Sequence, residues 1–295
     1  MKEALLYKKL NDKMVQCRVC SHFCQIAAGR RGICGVRENQ DGQLVVLNYN
    51  RIIASHVDPI EKKPLYHFLP GTETYSIAAA GCNFRCLNCQ NAEISQIGNQ
   101  KLEIRNQGFL GDKLSPKEVI ANAIKFNCPS ISYTYTEPTI FVEFALECMK
   151  LARKRGLKNI WVSNGFMSPE ILEIVAPYLD AINVDLKSFS DEFYQRVCGA
   201  RLQPVFDNLV AIKKADIHLE ITTLIIPGQN DASAELEKIA TFIVKKISAD
   251  TPWHVSRFFP HYKMSGVPST PKEKIFEAVE IGKKAGLKFV YIGNI

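Results

Sequence analysis

Residues 74–89 read TYSIAAAGCNFRCLNC, and both the fold and the chemistry of this chain can be predicted by starting here. The run from Thr74 to Ala80 predicts a buried strand, and Gly81 permits a tight turn after it. Cys82, Cys86 and Cys89 follow in the spacing C-x3-C-x2-C. Three thiolates cannot complete a four-ligand structural zinc site. They can hold three irons of a cubic 4Fe–4S cluster and leave the fourth iron open for a further ligand.

From this strand onward, β-type and α-type patterns alternate to the end of the sequence, which predicts parallel strands joined by right-handed crossovers. We therefore expect an α/β fold, a partial (β/α)6-type barrel over residues 71–295. Pro116 after Ser115 marks one helix start. Further strands are predicted at 130–136, 159–163, 181–187, 218–226, 252–258 and 288–292, and helices at 115 onward, 138–154, 168–179, 231–247 and 270–286.

Several predicted strands carry polar residues at every second position, which places those residues on one face. The interior of a complete eight-stranded barrel is normally filled by Val, Ile and Leu. We therefore expect a polar, functional cavity inside the barrel, although edge strands with one solvated face would give the same pattern. The residues that share polar faces are Ser132, Thr134 and Thr136; Asn183, Asp185 and Lys187; His218, Glu220 and Thr222; and His254 with Ser256.

The composition is that of an ordinary globular protein: 295 residues, 46% hydrophobic and 23% charged. Apolar stretches are too short to span a bilayer, and the first residues do not resemble a secretory signal, so we expect a cytoplasmic protein that does not contact membranes. The formal charge of +7 is spread along the chain and does not require a nucleic-acid partner. Ten cysteines in a cytosolic chain favour metal or redox sites over disulfides.

Four of these cysteines lie close to the N-terminus in the order C-x2-C-x3-C-x9-C. This spacing suits a structural zinc site, and an auxiliary Fe–S cluster is the alternative. His22 lies inside the segment, either as a substitute ligand or as a solvated loop residue. We expect residues 1–70 to form this metal-binding segment and a linker that its prolines stiffen. The four cysteines are Cys17, Cys20, Cys24 and Cys34.

The sequence resembles the radical S-adenosylmethionine (SAM) superfamily. GCNFRCLNCQN at 81–91 looks like its pyruvate formate-lyase activating enzyme branch, and CRVC, YTYTEPT, NVDLK and PWHVSRFFP are similar to the AmmeMemoRadiSam-type proteins within that branch. The resemblance spans essentially the whole chain. It implies that the three cysteines ligate a 4Fe–4S cluster, that SAM chelates the open iron, and that its reductive cleavage gives a 5′-deoxyadenosyl radical that abstracts hydrogen from a substrate.

The resemblance also implies which residues contact SAM and substrate. Tyr135 and Thr136 stand where the family carries two glycines, and the loop 227–231 lacks the histidine that activating enzymes often have, so Asn230 takes that place. Lys187 suits the SAM carboxylate, and Asp185 a hydroxyl group or cation. The implied SAM contacts are Thr136, Glu137, Ser163, Asn164, Asp185, Lys187 and Asn230, and the implied substrate-side residues are His254, Ser256 and Arg257.

A purely structural role is the alternative for several of these residues. Asp185 and Lys187 would also fit an exposed ion pair, His254 a hydrogen-bonded core histidine, and Arg257 a bridge to an acidic helix. Lys62 and Lys63 suit an anion site at the barrel mouth or a solvated loop. The remaining cysteines are expected to be buried thiols: Cys128, Cys148 and Cys198.

We expect a radical SAM enzyme, reduced by a ferredoxin or flavodoxin. Its substrate is a glycyl-radical enzyme in one version, and a small molecule or another macromolecule in the other. A non-enzymatic Fe–S protein that carries electrons or binds a partner is the competing hypothesis, but it does not explain the polar strand faces. Nucleic-acid modification is not favoured, because no basic stripe alternates with aromatic residues.

Overall fold

The computed structural model describes residues 2–97, 103–104 and 108–295. The N-terminal segment consists of short antiparallel strands and tight turns, which form small sheets in the orders β2-β3-β4 and β1-β6-β5. These strands are β1 (Lys2–Glu3), β2 (Tyr7–Lys9), β3 (Val15–Cys17), β4 (Gln25–Ile26), β5 (Arg37–Gln40), β6 (Gln43–Val46) and β7 (Arg51–Ile52).

A large sheet follows, and within the described ranges it has the order β8-β9-β13-β14-β15-β16-β17-β18. Its strands and the short strands between them are β8 (Ala54–Pro59), β9 (Glu73–Ala78), β10 (Glu103–Ile104), β11 (Gly108–Phe109), β12 (Asp112–Lys113), β13 (Ser130–Tyr133), β14 (Lys158–Ser163), β15 (Ala181–Asp185), β16 (His218–Ile225), β17 (Trp253–Arg257) and β18 (Val290–Gly293). β8 pairs antiparallel with β9, and every later pairing in this sheet is parallel.

Each parallel strand lies beside the one before it, so the sheet winds in one direction, as a barrel does. No pairing joins β8 to β18 in the part of the chain that the structure describes, so the barrel is open. The predicted partial barrel is confirmed. β8 belongs to residues assigned to the N-terminal segment, yet it extends the barrel sheet.

Helices lie between the parallel strands and cover the outer face of the sheet. Ser115 caps α2 through a capping box with Glu118, and Pro116 takes the first helical position, as predicted. Within the described residues, no helix has the length and apolar character needed to cross a membrane. The helices are α1 (Ala92–Ser95), α2 (Pro116–Lys125), α3 (Val142–Lys154), α4 (Pro169–Val175), α5 (Asp191–Phe193), α6 (Gln203–Lys214), α7 (Ser233–Phe242) and α8 (Lys272–Ala285).

Two predicted strands end earlier than expected. β13 ends at Tyr133 because Tyr135 adopts φ +61°, outside the β region. β15 ends at Asp185, and the Leu186 amide turns back to donate to the Val184 carbonyl. The predicted helix at 138–154 starts as a 3₁₀ turn, Pro138–Phe141, before α3 begins. The shortened strands leave Thr134–Glu137 and Lys187 in loops at the carboxyl ends of the strands.

The amino-terminal end of the barrel is closed by the linker segment Pro64–Phe68, which we call the plug. Leu65 packs in a buried cluster with Ile160 and Ala181, which lie near the starts of β14 and β15. The Glu220 carboxylate accepts hydrogen bonds from the Tyr66 and His67 amides at 3.0 and 2.8 Å. The linker is therefore an ordered part of the barrel.

Lys63, the residue before this plug, is buried, so a solvated loop is the wrong description of this residue. Its ammonium lies 2.6 Å from the Asp58 carboxylate and 4.4 Å from the centre of the Tyr135 ring. Lys62 also pairs with Asp58, at 2.8 Å, but its side chain stays exposed.

Candidate functional site

A cavity of about 580 Å³ opens at the carboxyl ends of the parallel strands. The polar strand faces lead into it, and these strands are interior to the sheet, so the predicted polar cavity is confirmed and the edge-strand alternative is wrong. Most of the predicted site residues are brought together there. Among the cavity-lining residues are Cys82, Cys86, Cys89, Thr134, Thr136, Glu137, Ser163, Asn164, Asp185, Lys187, Thr222 and Ser256.

The three-cysteine loop enters this cavity directly after β9. Gly81 makes the turn with φ +101°, and the Phe84 amide donates to Cys82 Sγ at 3.3 Å. Burial raises the pKa of the Cys82 and Cys89 thiols. Two buried polar atoms of the loop, Asn83 Nδ2 and Asn88 Oδ1, have no hydrogen-bond partner in the described structure. A loop with backbone donors to sulfur and unpartnered polar atoms fits a bound cluster and its ligand.

Cys198 contacts this loop, which the sequence analysis did not predict. It is buried, as expected, but its thiol hydrogen-bonds Cys86, and this bond lowers the pKa of Cys86. The Arg85 amide donates to the Cys198 carbonyl at 2.7 Å. The Leu87 amide donates, at 2.9 Å, to the carbonyl of the residue before Cys198. The π-helical turn Tyr194–Cys198 therefore holds the loop on both sides of Cys86. Sequence spacing carries no signal for this contact, because the two thiols meet only through tertiary structure.

Glu137 links the loops that follow β13 and β14. Its buried carboxylate accepts hydrogen bonds from Ser163 Oγ at 2.9 Å, the Asn164 amide at 2.8 Å and the Thr139 amide at 3.1 Å. Burial raises its pKa, and these donors act in the opposite direction. Asn164 in turn donates to Asn83 Oδ1 at 2.7 Å. Glu137 thus positions the polar loops beside the three-cysteine loop.

Tyr135 occupies a position that favours glycine, because its φ of +61° is left-handed. Its hydroxyl hydrogen-bonds Asp58, and its carbonyl accepts from Asn91 Nδ2 at 2.7 Å. Thr136 Oγ1 donates to the Ala79 carbonyl at 2.7 Å. The side chain of Tyr135 therefore anchors a backbone shape that a glycine would adopt without help.

The predicted pair of Asp185 and Lys187 lines the cavity. Lys187 Nζ lies 2.8 Å from Asp185 Oδ2, and both side chains are partly exposed. Burial alone would lower the pKa of Lys187, but Asp185 and the thiols of Cys86 and Cys198 outweigh it and raise that pKa. Lys187 is thus a cation held toward the cysteine loop.

Asn230 lies behind this pair. Its amide donates to the Lys187 and Leu224 carbonyls at 2.7 and 2.9 Å, and its oxygen accepts from the Ile226 amide at 2.7 Å. The residue is buried and does not line the cavity. Its polar atoms fix the loop after β15, so the structure gives it a supporting position.

The three predicted substrate-side residues lie in different environments in the structure. Ser256 lines the cavity. His254 lies deeper, buried, with Nε2 2.7 Å from Glu220 Oε2, as the core-histidine reading describes. Arg257 Nε donates to the Thr270 carbonyl at 2.8 Å and its guanidinium lies against the Phe259 ring, so its partners are not an acidic helix. Neither His254 nor Arg257 lines the cavity.

The four N-terminal cysteines converge on a second, much smaller cavity of about 10 Å³. Burial raises the pKa of Cys17 to about 11 and also raises the pKa values of Cys20 and Cys24. Within the described ranges, no three or more Cys, His, Asp or Glu side chains already stand at metal-binding distances, at this cavity or at the three-cysteine loop. The four thiols line the cavity together with His22 and Arg37.

Comparison with known proteins agrees with this geometry. The family model of the radical SAM superfamily matches residues 76–243. An uncharacterized protein of Methanocaldococcus jannaschii is 43% identical over 295 residues, which are 100% of this chain and 86% of that protein. The pyruvate formate-lyase-activating enzyme of Clostridium pasteurianum is 21% identical over 222 residues, 70% of this chain and 87% of that enzyme.

Solved structures share the fold. A radical SAM methyltransferase from Sphaerobacter thermophilus superposes with a TM-score of 0.58 at 12% identity, covering 76% of this chain and 67% of that one. The barrel fold, the three-cysteine loop at the carboxyl ends of the strands and the family match all indicate the same superfamily. The chain therefore belongs to the radical SAM superfamily, and it is an enzyme whose family chemistry uses a 4Fe–4S cluster and SAM.

Proposed function

We propose that this protein is a radical SAM enzyme of the activating type, which takes a hydrogen atom from a protein substrate. The observation that carries this proposal is the convergence of the three-cysteine loop, the Asp185–Lys187 pair and the loops held by Glu137 on one cavity. In parallel α/β barrels, active sites lie at this carboxyl end of the strands.

In this proposal Cys82, Cys86 and Cys89 hold the cluster. Gly81 turns the chain into the cavity, and the Phe84 amide supplies a hydrogen bond to the first sulfur. The backbone of the Tyr194–Cys198 turn fixes the loop around Cys86. The cluster, when bound, would supply the electron for reductive cleavage of SAM and thereby the radical chemistry of hydrogen abstraction.

The surrounding polar groups bind and orient SAM. The Lys187 ammonium would pair with the SAM carboxylate, and Asp185 keeps that ammonium charged beside the cavity. The left-handed backbone at Tyr135 would present the peptide groups around Thr136 to the SAM amino group. Ser163 and Asn164, which line the cavity, would contact the ribose and methionyl end of SAM. Asn230 acts only through the loop that carries Lys187.

A protein substrate is supported by exposed aromatic residues near the three-cysteine loop and by the relatives. Phe259 and Tyr262 expose aromatic rings, which suit docking of a macromolecule. Both are near the cysteine loop, because Gln90 donates to the Phe259 carbonyl and the Lys263 amide donates to the Leu87 carbonyl. The related enzyme of Clostridium pasteurianum is named for activating pyruvate formate-lyase.

We further propose that the two parts of the chain have different roles. Residues 1–70 act as a metal-binding segment and linker, in which Cys17, Cys20, Cys24 and Cys34 hold zinc or an auxiliary Fe–S cluster. Residues 71–295 carry the radical chemistry. A cytoplasmic ferredoxin or flavodoxin supplies the electron.

The reaction is tested by SAM cleavage under anaerobic conditions. The reconstituted, dithionite-reduced protein should form 5′-deoxyadenosine and methionine in equal amounts. Cys86→Ala should abolish the product, and Cys148→Ala, which removes a buried thiol from α3, should retain it. Absence of product from wild-type protein with an intact reduced cluster and saturating SAM would contradict the proposal and favour an electron-transfer role.

The substrate class is tested by fractionating extract of cells that encode the protein. The macromolecular fraction should stimulate 5′-deoxyadenosine formation and acquire an oxygen-sensitive glycyl radical signal in electron paramagnetic resonance, and protease treatment should remove both effects. Stimulation by the low-mass filtrate alone would overturn the protein-substrate assignment and favour modification of a small molecule.

A further inference from the structure

We propose that the four-cysteine pocket binds a single zinc-type ion, and that this ion positions the three-cysteine loop through His22. The binding step does not depend on the proposed function. The positioning step rests on the proposed function, since it concerns the loop that would hold the radical-generating cluster.

The size of the pocket favours one ion over a cluster. Its volume of about 10 Å³ is close to that of one water-sized sphere, whereas a cubic cluster brings several irons and sulfides. The other lining residues include the apolar side chains of Val19, Ile26, Ile33 and Ile140. Four thiolates around one ion form a closed tetrahedral site, as structural zinc requires.

Backbone donors already surround the thiols. The Val19 amide hydrogen-bonds Cys17, and the His22 amide hydrogen-bonds Cys20. Each of these two donors stands two residues after the cysteine that it contacts, and a third, the Ile33 amide, hydrogen-bonds Cys24. Amide donors of this kind hold thiolates in place and compensate their charge around a metal.

Arg37 supplies a second, independent indication. Its side chain is buried and lines the pocket, and its terminal nitrogens pair with Glu143 at 2.8 and 2.7 Å. Its Nε–H, however, has no partner in the described structure. A buried guanidinium donor left unpaired is costly, and a thiolate of the proposed site would satisfy it.

His22 connects this pocket to the three-cysteine loop. It lies between Cys20 and Cys24, and its Nε2 is 2.8 Å from the carbonyl oxygen of Asn83, the neighbour of Cys82. Its ring packs 4.8 Å from the Phe166 ring, which packs 5.3 Å from the Phe84 ring of the loop.

The two cysteine segments also approach each other at a second point. A Cβ placed on Gly81 would stand 2.9 Å from the Cys34 carbonyl oxygen. An ion that fixes Cys20, Cys24 and Cys34 therefore fixes both contacts between the N-terminal segment and the three-cysteine loop.

Metal analysis of the full chain tests the binding step. Protein made with zinc and then reconstituted with iron and sulfide should contain about one zinc and about four iron per chain. Cys24→Ser should lower the zinc content about tenfold and leave the iron content near that of wild type. Cys128→Ser is the matched control, because it removes another buried thiol outside both segments and should retain zinc.

Two metal-analysis results would overturn the proposal. One is about eight iron without zinc in the wild type, which would mark an auxiliary cluster. The other is unchanged metal content in Cys24→Ser. If Cys24→Ser does not fold, cobalt substitution of the wild type decides instead. One Co²⁺ per chain with tetrahedral thiolate absorption supports the site, and its absence contradicts it.

His22→Ala tests the positioning step without touching a thiol. It should keep about one zinc, lower 5′-deoxyadenosine formation about tenfold, and alter the resonance spectrum of the reduced cluster. His67→Ala, which removes an exposed imidazole at the plug, should leave the spectrum and the rate unchanged. Zinc retention with a wild-type spectrum in His22→Ala would overturn the positioning role. The zinc result stands even if no SAM cleavage is found, so the two failures are distinguishable.

Discussion

The two ends of the barrel use polar residues from the same strands in opposite ways. At the open end, Asp185 and Ser256 line a cavity of about 580 Å³, and Asn83 and Asn88 keep unpartnered atoms beside it. At the closed end, both oxygens of Glu220 are bonded by imidazoles and plug amides. Polar groups without a hydrogen-bond partner can bind a ligand, whereas polar groups that hydrogen-bond one another stabilise the fold.

This contrast predicts that substitutions at the open end change the chemistry and that substitutions at the closed end change the stability. The exception we expect is Gly81→Ala. An alanine there has a strained φ of +101°, and its Cβ would stand 2.7 Å from Val36 Cγ1. We expect a loss of about 2–6 kcal/mol in unfolding free energy together with lower iron content.

Anaerobic thermal unfolding and iron analysis measure this effect. Gly71→Ala is the matched control, because Gly71 also has a positive φ, +75°, but a Cβ there has nothing within 4 Å. It should lose only about 1 kcal/mol. Equal losses in the two variants would show that the contact with the N-terminal segment contributes nothing.

Glu220→Gln tests the closed end of the barrel, where we expect a loss of stability. Burial alone would raise the pKa of Glu220, but hydrogen bonds from His218, His254 and the plug amides lower it to about 2. The carboxylate therefore stabilises the folded state above its unfolded pKa of about 4.3, and this contribution disappears as the pH falls toward 2. At pH 7 we expect Glu220→Gln to lose about 3 kcal/mol.

Urea unfolding of both proteins between pH 7 and pH 3 checks this prediction, since the shared metal sites cancel in the difference. The gap between wild type and variant should narrow below about pH 4.5. Glu237→Gln, on an exposed helix position, should show no such gap. A constant gap at all pH values would mean that the carboxylate charge is not the source of the stability.

Lys187→Met tests the open end and has the smallest expected effect. Loss of the ammonium should raise the KM for SAM about tenfold, equivalent to about 1.4 kcal/mol, with stability and iron content near wild type. Lys158→Met removes a similar ion pair, 2.9 Å from Asp180, at the opposite end of β14 and should leave the KM unchanged. An unchanged KM in Lys187→Met would remove this residue from the SAM site.

Much of the open end could be predicted from the sequence because its signals are local. Cys82, Cys86 and Cys89 lie within eight residues, and Asp185 and Lys187 are two residues apart. Strand alternation then indicated that Thr222 and Ser256 face the same interior. Asn230, His254 and Arg257 do not line the cavity. Each has a polar partner far along the chain, at Lys187, Glu220 and Thr270 respectively, and no local pattern shows whether such partners exist.

The sequence by itself determined the order of the parallel strands, the cysteine spacing and the inward polar faces, since periodicity and spacing are properties of neighbouring residues. It did not predict α6 between β15 and β16. Only the tertiary structure decided which polar residues hydrogen-bond one another and which line the cavity. It brought Cys198 to Cys86, plugged the barrel with Pro64–Phe68 and set His22 against the cysteine loop. These contacts join residues that are far apart along the chain, and the packing of the whole barrel determines them.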